Sequence, residues 1–277
     1  MEKLSVFGGK GFIGSKYCSL YDNTIVMDRE ANVPSTKDVL YLISTTHNYH
    51  VKTDVHKDID TNLSKLMDVL PNVEGTFNFV SSWFVYGKGA GYEKSLPASE
   101  YSHCNPTGFY SITKKAAEDL IISYCETFGK SYRIIRLCNV IGGDSGAGKQ
   151  KNAVEYMLQK IVNNEDVEVY TGDNYRNFLH VNEVCEAINL IMSEGKLNDI
   201  YNVGSHNSER IIDIMQYAKD KVGSKSNIKL VIPPKFHSIV QATDFFMDTK
   251  KLRGLGFVQK KRTYEVVDGI LDKLTNK

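Results

Sequence analysis

Residues 4–15 read LSVFGGKGFIGS, and this stretch decides how the chain begins to fold. The apolar run 4–7 predicts a short buried strand. Gly8, Gly11 and Gly14 follow at three-residue intervals and open a helix toward residue 20. Glycines at this spacing allow a tight turn, the close approach of a pyrophosphate and close packing of helix on strand. The stretch therefore predicts a strand–loop–helix unit whose helix N-terminus binds phosphate.

The next predicted strand, at 24–28, ends in an acidic residue, Asp28. Asp28 lies where the ribose hydroxyls of a dinucleotide are held, and it favours NAD because a carboxylate repels the 2′-phosphate of NADP. Lys10 and Arg29 are nearby cations that could bind that phosphate instead. The alternative is that both are solvated surface charges. The sequence thus predicts NAD or NADP as the cofactor and leaves the choice open.

The rest of the chain alternates strands and helices, as a parallel sheet requires. We predict an α/β fold, a Rossmann-type doubly wound parallel sheet with a smaller C-terminal substrate lobe. The Rossmann domain is predicted at 1–141 plus about 174–203, and the substrate-binding lobe at about 142–173 and 204–277. The segment 28–39 is too short for another strand–helix–strand unit. Further strands are predicted at 39–44, 76–80, 132–137, 167–170, 200–203 and 228–232. Helices are predicted at 60–70 (ended by Pro71), 153–162, 181–192, 211–222 and 263–274. Arg176 is predicted to lie in a loop, and the segment 142–148 is predicted to be polar and mobile.

Tyr110 and Lys114 are four residues apart in a segment rich in helix-forming residues. A helix places both on one face, within reach of one another. A tyrosine beside a fixed ammonium can exchange a proton near neutral pH once its free pKa of about 10 has been lowered. Ser82 follows the strand predicted at 76–80, at the sheet edge where open α/β sheets carry their sites. The alternatives are an ordinary exposed helix and a serine that caps a strand end.

Composition argues against several classes of protein. The 277 residues carry a formal charge of +1, which gives no electrostatic case for nucleic acid or an anionic membrane. No run approaches the roughly 20 apolar residues of a membrane span. The first strand follows Met1 almost at once and leaves no room for a signal peptide. The five scattered cysteines predict reduced thiols, no metal site and a cytoplasmic protein.

With these motifs in order, the chain resembles the extended short-chain dehydrogenase/reductase family, in its group of NAD-dependent nucleotide-sugar epimerases, dehydratases and reductases. The resemblance spans nearly the whole chain. Besides the glycine loop and the Tyr110-x-x-x-Lys114 helix, it rests on Asn62 and on the stretches 81–87 (SSWFVYG), 136–142 (RLCNVIG), 172–181 (GDNYRNFLHV) and 201–204 (YNVG). Each motif is modest alone, and together they are highly specific.

The resemblance implies a role for each matching residue. Tyr110 would be the acid/base on a sugar hydroxyl or ketone, Lys114 would lower its pKa and hold the nicotinamide ribose, and Ser82 would hydrogen-bond the same sugar oxygen. A nucleotide-diphosphate sugar is the implied partner, and a homodimer is allowed. Further cofactor contacts are implied for Gly8, Gly11, Phe12, Ile13, Ser44 and Asn62, and further substrate contacts for Trp83, Asn139 and Arg176, with Arg176 at the diphosphate.

The sequence departs from the family pattern in three places. The short 28–39 segment lacks a strand that usually carries an acid for the adenine. The stretch 236–248 lacks a second arginine for the diphosphate, and Lys235 and His237 are the nearest basic residues. Trp83-Phe84 stand where the 4,6-dehydratases have Asp-Glu, so dehydration is not expected.

The resemblance therefore implies a nucleotide-sugar 4-epimerase that transfers a hydride at carbon 4. An NADPH-dependent reductase of nucleotide 4-keto sugars is the alternative, kept close by Lys10 and Arg29. A non-catalytic dinucleotide sensor is a third reading, and the intact Ser82, Tyr110 and Lys114 set argues against it.

Overall fold

The fold was obtained as a computed structural model that describes residues 3–143, 152–240 and 244–276. Most of the polar segment predicted at 142–148 lies outside these ranges. In the described ranges, no helix is both long and apolar enough to cross a membrane.

A six-stranded parallel sheet forms the centre of the molecule. Its strand order is β2-β1-β3-β4-β5-β9, so the order reverses between β1 and β3. This is the crevice in which open α/β sheets bind ligands. The predicted Rossmann-type fold is confirmed. The strands are β1 Leu4–Phe7, β2 Thr24–Val26, β3 Val39–Tyr41, β4 Thr76–Ser82, β5 Ser131–Leu137, β6 Asn139–Ile141, β7 Val167–Tyr170, β8 Tyr175–His180, β9 Asp199–Val203, β10 Ser208–Arg210 and β11 Ile228–Val231.

Helices cover both faces of the six-stranded sheet, because its central strands are apolar on both sides. On one face Tyr17 of α1 and Ile188 of α6 pack on Val6 and Ile135. On the other face Leu66 of α3 and Ile121 of α4 pack on the opposite side chains of the same strands. The helices are α1 Phe12–Leu20, α2 Lys57–Ile59, α3 Lys65–Val69, α4 Phe109–Phe128, α5 Ala153–Val162, α6 Val181–Glu194, α7 Ile211–Val222, α8 Lys235–Val240, α9 Lys250–Gly254 and α10 Thr263–Thr275.

The helix predicted at 60–70 is longer and less regular than expected. It begins with α2, passes through a π-helical turn at Asp60–Ser64, continues as α3 and ends in the 3₁₀ turn Leu70–Asn72. Pro71 lies inside that last turn rather than beyond it, because a proline near the start of a helical turn sacrifices no hydrogen bond. Isolated π-helical turns are frequent at functional sites.

Two smaller sheets follow in the second half of the chain. β8 pairs with β6 in parallel and with β10 in antiparallel fashion, and β7 pairs with β11. A third core, which includes Leu158, Met215 and Val267, joins α5, α7 and α10 to them. Arg176 therefore lies on a strand, and its predicted loop is wrong. The division of the chain into two domains stays a prediction, and its boundary strands β6 and β8 pair with each other.

Candidate active site

The loop between β1 and α1 has the backbone shape that the glycines predict. Gly8 has φ +82°, and a Cβ there would lie 2.9 Å from the Leu42 carbonyl carbon. A Cβ on Gly14 would lie 2.2 Å from the Gly8 oxygen, so no side chain fits there. The Gly11 N–H donates to that oxygen at 2.9 Å and closes the turn. No side chain caps the start of α1, which leaves helix N–H groups for an anionic ligand.

Charged residues surround the end of β2, beside this loop. Asp28 lies two residues beyond the strand, and Lys10 donates to its carboxylate at 3.1 Å. Both side chains are exposed, at 78% for Lys10 and 85% for Asp28, so the pair contributes little to stability. Arg29 is also exposed. β2 is the edge strand of the sheet, and in the described ranges no strand lies beyond it, as the short 28–39 segment predicts.

The Tyr110 phenol is buried at the carboxyl edge of the sheet. Tyr110 lies in the first turn of α4. Ser82 is the last residue of β4, and its hydroxyl accepts a hydrogen bond from the Phe84 N–H at 3.3 Å. The hydroxyls of Ser82 and Ser44 are near enough to the phenol to affect its pKa. Burial raises the pKa of Tyr110, the Ser82 and Ser44 hydroxyls oppose this change, and the negative charge of Asp58 adds to it. In this structure the phenol is therefore held in its protonated form at neutral pH.

Lys114 lies one turn further along α4 and is completely buried. Its Nζ donates to the Val80 carbonyl at 2.6 Å and lies 3.9 Å from the centre of the Phe79 ring. Burial lowers the pKa of Lys114 to about 7, and the charge of Glu118 acts in the opposite direction. Only some of the protein molecules therefore carry a charged Lys114 at neutral pH. The predicted lowering of the Tyr110 pKa by Lys114 requires that charge. Its role toward Tyr110 stays a prediction.

Asn62 joins three elements behind Tyr110. Its Oδ1 accepts from the Thr45 N–H at 2.9 Å and from the Ser44 hydroxyl at 3.0 Å. Its Nδ2 donates to the hydroxyls of Thr45 and Thr113, each at 2.9 Å. A backbone N–H can only donate, so the amide can adopt only this orientation. The π-helical turn at Asp60–Ser64 thus places a fully hydrogen-bonded amide next to the helix that carries Tyr110.

A buried ion pair fixes α4 against β5 just below Lys114. Glu118 accepts from Arg136 through both carboxylate oxygens, at 3.0 Å and 2.7 Å. Ser81, the residue before Ser82, also donates to Glu118, and Arg136 donates to the Tyr86 hydroxyl. Burial opposes the charge of Arg136, but the hydrogen bonds and charge of Glu118 outweigh it and raise the pKa of the guanidinium. The position of Ser82 therefore depends on this pair.

The predicted substrate residues lie on the other side of the edge, around β6 and β8. Arg176 is buried, with its guanidinium carbon 5.6 Å from the centre of the Trp83 ring. Its Nη1 donates to the Tyr175 carbonyl at 2.8 Å. Burial lowers the pKa of Arg176 to about 10, which leaves it charged at neutral pH, and Asp244 favours that charge. Asn139 donates to the Asn177 carbonyl from β6.

A cavity of about 680 Å³ opens beside Arg176. Tyr49 and Tyr170 contribute aromatic surface to it, and Lys160 contributes a cation. The Tyr170 hydroxyl hydrogen-bonds the ring of His237, and Lys52 lies 4.4 Å from the centre of the Phe236 ring. Lys52 lies in the 3₁₀ turn His50–Lys52 and Phe236 in α8, so this second contact joins the region after β3 to that helix, whereas the first joins β7 to it.

The site contains residues that the sequence motifs did not single out: Thr45, Asp58 and Thr113 around Asn62, and Tyr49 in the cavity. One signal for Asp58 was present. Asp58 and Asn62 are four residues apart, which predicts one helical face. It was missed because the helix was predicted to begin at residue 60. The roles of the predicted site residues stay predictions, although the structure brings Ser44, Asn62, Ser82 and Tyr110 together.

Comparison with known proteins adds a family to this geometry. The model of the NAD dependent epimerase/dehydratase family matches residues 56–204, just over half of the chain. A trifunctional UDP-glucose 4,6-dehydratase/UDP-4-keto-6-deoxy-D-glucose 3,5-epimerase/UDP-4-keto-L-rhamnose-reductase of Arabidopsis thaliana is 28% identical over 187 residues, 66% of this chain and 27% of that protein. The chain spans between 27% and 58% of the length of this protein and two further curated relatives.

Two solved structures show the same fold along essentially the whole chain. RMD from Pseudomonas aeruginosa, complexed with NADPH, is 21% identical with a TM-score of 0.84 and covers 100% of both chains. The UDP-glucose 4-epimerase of Thermotoga maritima with UDP-glucose is also 21% identical with a TM-score of 0.84, covering 98% of this chain and 97% of that one. At this identity the likeness is evidence for the fold alone.

Proposed function

The chain belongs to the NAD dependent epimerase/dehydratase family, and from that membership we propose that it is an NAD(P)-dependent enzyme that transfers a hydride at carbon 4 of a nucleotide sugar. One observation carries the proposal: the Tyr110 phenol is buried at the carboxyl edge of the sheet, near the Ser82 hydroxyl. A buried phenol beside a serine hydroxyl at such an edge suits proton exchange with a sugar oxygen.

The residues around β1 suit a dinucleotide. The glycine loop leaves a space that any Cβ would fill, and the start of α1 offers N–H groups to phosphate. Gly8, Gly11, Phe12 and Ile13 would hold the diphosphate, and Asp28 the adenine ribose. When bound, the nicotinamide supplies or accepts the hydride.

Tyr110 then moves the proton that balances the hydride. As a ketone is reduced, the π electrons of its C=O bond go to oxygen, and that oxygen takes the phenol proton. In the oxidative direction the phenolate takes the hydroxyl proton as the C–H bond breaks. Ser82 can donate its O–H to the same oxygen while one of its two lone pairs accepts the Phe84 N–H.

The nucleotide part of the substrate fits the cavity beside Arg176. A charged guanidinium suits a diphosphate through its planar fork, and Tyr49 and Tyr170 offer surfaces on which a base can stack. Trp83 packs under Arg176, and its ring lies 4.1 Å from that of Phe84. These two residues occupy the positions where a dehydratase would need acids, which supports hydride transfer without loss of water.

The 4-epimerase and the 4-ketoreductase share this site and differ in the fate of the cofactor. An epimerase keeps it and returns the hydride to the same carbon, whereas a reductase releases it after each turnover. The five free thiols accord with a cytoplasmic location, which forms part of the proposal, as does a homodimer.

The test is turnover with NADH or NADPH on a panel of UDP-, GDP-, CDP- and dTDP-sugars and their 4-keto forms. Tyr110→Phe keeps the ring and removes the proton, so turnover should fall by about 100- to 10,000-fold. Tyr101→Phe is the matched control, because Tyr101 is 85% exposed. Activity of Tyr110→Phe within a few-fold of wild type would show that Tyr110 is not the acid/base. No turnover by wild type on any member of the panel, from protein that purifies without a cofactor, would favour the non-catalytic sensor.

A further inference from the structure

The helix that carries Tyr110 begins with an incomplete cap. Gly108 is the N-cap residue of α4, and in the described part of the chain no side-chain hydrogen bond caps the first turn. One half of a capping box is present, because the Gly108 N–H donates to the Ser111 hydroxyl at 3.0 Å. The other half needs a side-chain oxygen on the N-cap residue, to accept from the Ser111 N–H, and a glycine has none.

A side chain from another part of the chain occupies the space that Gly108 leaves empty. The first three atoms that a Cβ on Gly108 would meet all belong to Asn48: Oδ1 at 2.0 Å, Cγ at 2.5 Å and Nδ2 at 3.2 Å. Asn48 is 4% exposed, and among the described residues its Oδ1 is buried without a hydrogen-bond partner. Burying an acceptor in this way is costly. Here the acceptor lies beside a helix terminus whose first N–H groups have no partner within the helix.

The place of this oxygen suits the missing half of the capping box. The oxygen of an N-cap serine lies one bond from its Cβ, and Asn48 Oδ1 lies 2.0 Å from the position of that Cβ. The backbone of Gly108, with φ −111° and ψ 155°, has the extended conformation usual for an N-cap. A serine is therefore compatible with the backbone at 108, and the Asn48 amide is what opposes it.

Asn48 also lies between two parts of the candidate active site. Thr45, three residues earlier, donates its N–H to the Asn62 amide behind Tyr110 at 2.9 Å. Tyr49, the next residue, lines the cavity in which the nucleotide is proposed to bind. A cap supplied from this segment would fix the start of α4 relative to both.

We propose that Asn48 is a positioning residue that caps α4 from outside the helix, with its Oδ1 turning onto an N–H of the first turn. The inference rests on the proposed function and adds a residue to it. Tyr110 belongs to the turn that the cap would hold. Without the cap that turn frays, and the phenol spends less time where it can exchange a proton with the sugar oxygen.

The test begins with Asn48→Ala, assayed with the substrate and cofactor that the panel identifies. Its kcat should fall about 10-fold or more while KM and the cofactor Kd stay within about twofold of wild type, because a misplaced acid/base affects the chemical step. Its Tm should fall by roughly 2–4 °C, as for a lost cap in a chain of this size. Asn48→Asp keeps the acceptor, so its kcat should stay within about threefold of wild type.

Gly108→Ser shows where the cap acts. Alone it should lower both kcat and Tm, because its Cβ collides with the Asn48 amide. Combined with Asn48→Ala it should recover most of the lost kcat and Tm, since the serine oxygen then caps the helix itself and the amide is gone. Gly254→Ser is the matched control, because a Cβ there meets no atom within 4 Å; it should not rescue Asn48→Ala.

A kcat of Asn48→Ala equal to that of wild type, or a double variant no better than Asn48→Ala, would overturn the inference. If Asn48→Ala does not fold, Asn48→Asp and the double variant decide: both should be folded and active, and failure of both counts against the cap. Tyr110→Phe separates the two claims. If it is inactive while Asn48→Ala is unaffected, only the inference fails; if it is fully active, the proposed function fails and the Tm values of the cycle still judge the cap.

Discussion

Replacing Glu118 by Gln should destabilise the protein far more than its small change of shape suggests. Gln keeps one acceptor for Arg136 Nε and for Ser81, but it turns an NH₂ group toward Arg136 Nη2, now 2.7 Å from a carboxylate oxygen. Two donors then face each other, and a guanidinium with a side chain only 3% exposed loses its counter-charge. Breaking a buried pair in this way costs about 3–5 kcal/mol.

Calorimetry and urea unfolding would measure the loss. For a chain of this size, about 3–5 kcal/mol corresponds to a fall in Tm of roughly 5–10 °C. Asp119→Asn is the matched control, because Asp119 is the next residue of α4 and pairs with Lys115 at the surface. That variant should lose less than about 1 kcal/mol.

The partner residue provides a second comparison. Glu118→Gln combined with Arg136→Met leaves no uncompensated charge and should recover part of the lost stability. If Glu118→Gln is no less stable than Asp119→Asn, the buried pair does not hold α4 on β5. Equal stability of the single and double variants would mean that the loss comes from shape rather than charge.

Three further changes test the site. Arg176→Ala should raise the Kd for a nucleoside diphosphate such as UDP or GDP by about 10- to 100-fold in titration calorimetry and leave NAD(P) binding unchanged; equal loss of both ligands would refute a diphosphate contact. Lys10→Ala with Arg29→Ala should weaken NADPH far more than NADH in the same titrations if these cations hold a 2′-phosphate, and equal effects would assign the choice to Asp28. Lys114 has its pKa lowered to about 7 when folded, so the unfolded chain binds more protons between pH 7 and about 10, and wild-type stability relative to Lys114→Met should rise across that range. A difference in unfolding free energy that stays flat with pH would mean that Lys114 is not buried as described.

Much of the fold could be predicted because local signals coincide with packing. The helices at Ala153–Val162 and Ile211–Val222 have the predicted bounds, since apolar residues at helical spacing supply the third core. Gly223 ends the second of them in a left-handed conformation, which the sequence also favours. The glycine loop also has the expected shape, because the backbone conformation of Gly8 and the close contact at Gly14 are both set by neighbouring residues.

The strand that carries Arg176 could not be predicted from local signals. Arg176 and Asn177 are polar, and in a single sequence adjacent polar residues favour the prediction of a loop. In the structure both side chains are buried. Their polar groups are satisfied from elsewhere in the fold: Asn177 exchanges hydrogen bonds with Ser205, 28 residues away. Asp58 was missed for a different reason, because shifting the predicted start of one helix by three residues hid its shared face with Asn62.

The junction between β5 and β6 has a mechanical consequence. Leu137, the last residue of β5, pairs with Ser82, and after Cys138 alone the chain enters β6, where Asn139 pairs with Phe178. One buried residue thus separates the strand that pairs with Ser82 from the sheet that carries Arg176. Residues 204–207 form a second short connection, from β9 of the central sheet to β10 of the smaller sheet, so the two sheets are joined at two closely spaced points. The backbone therefore holds Arg176 and Ser82 at a defined separation, without a long loop between the two sheets.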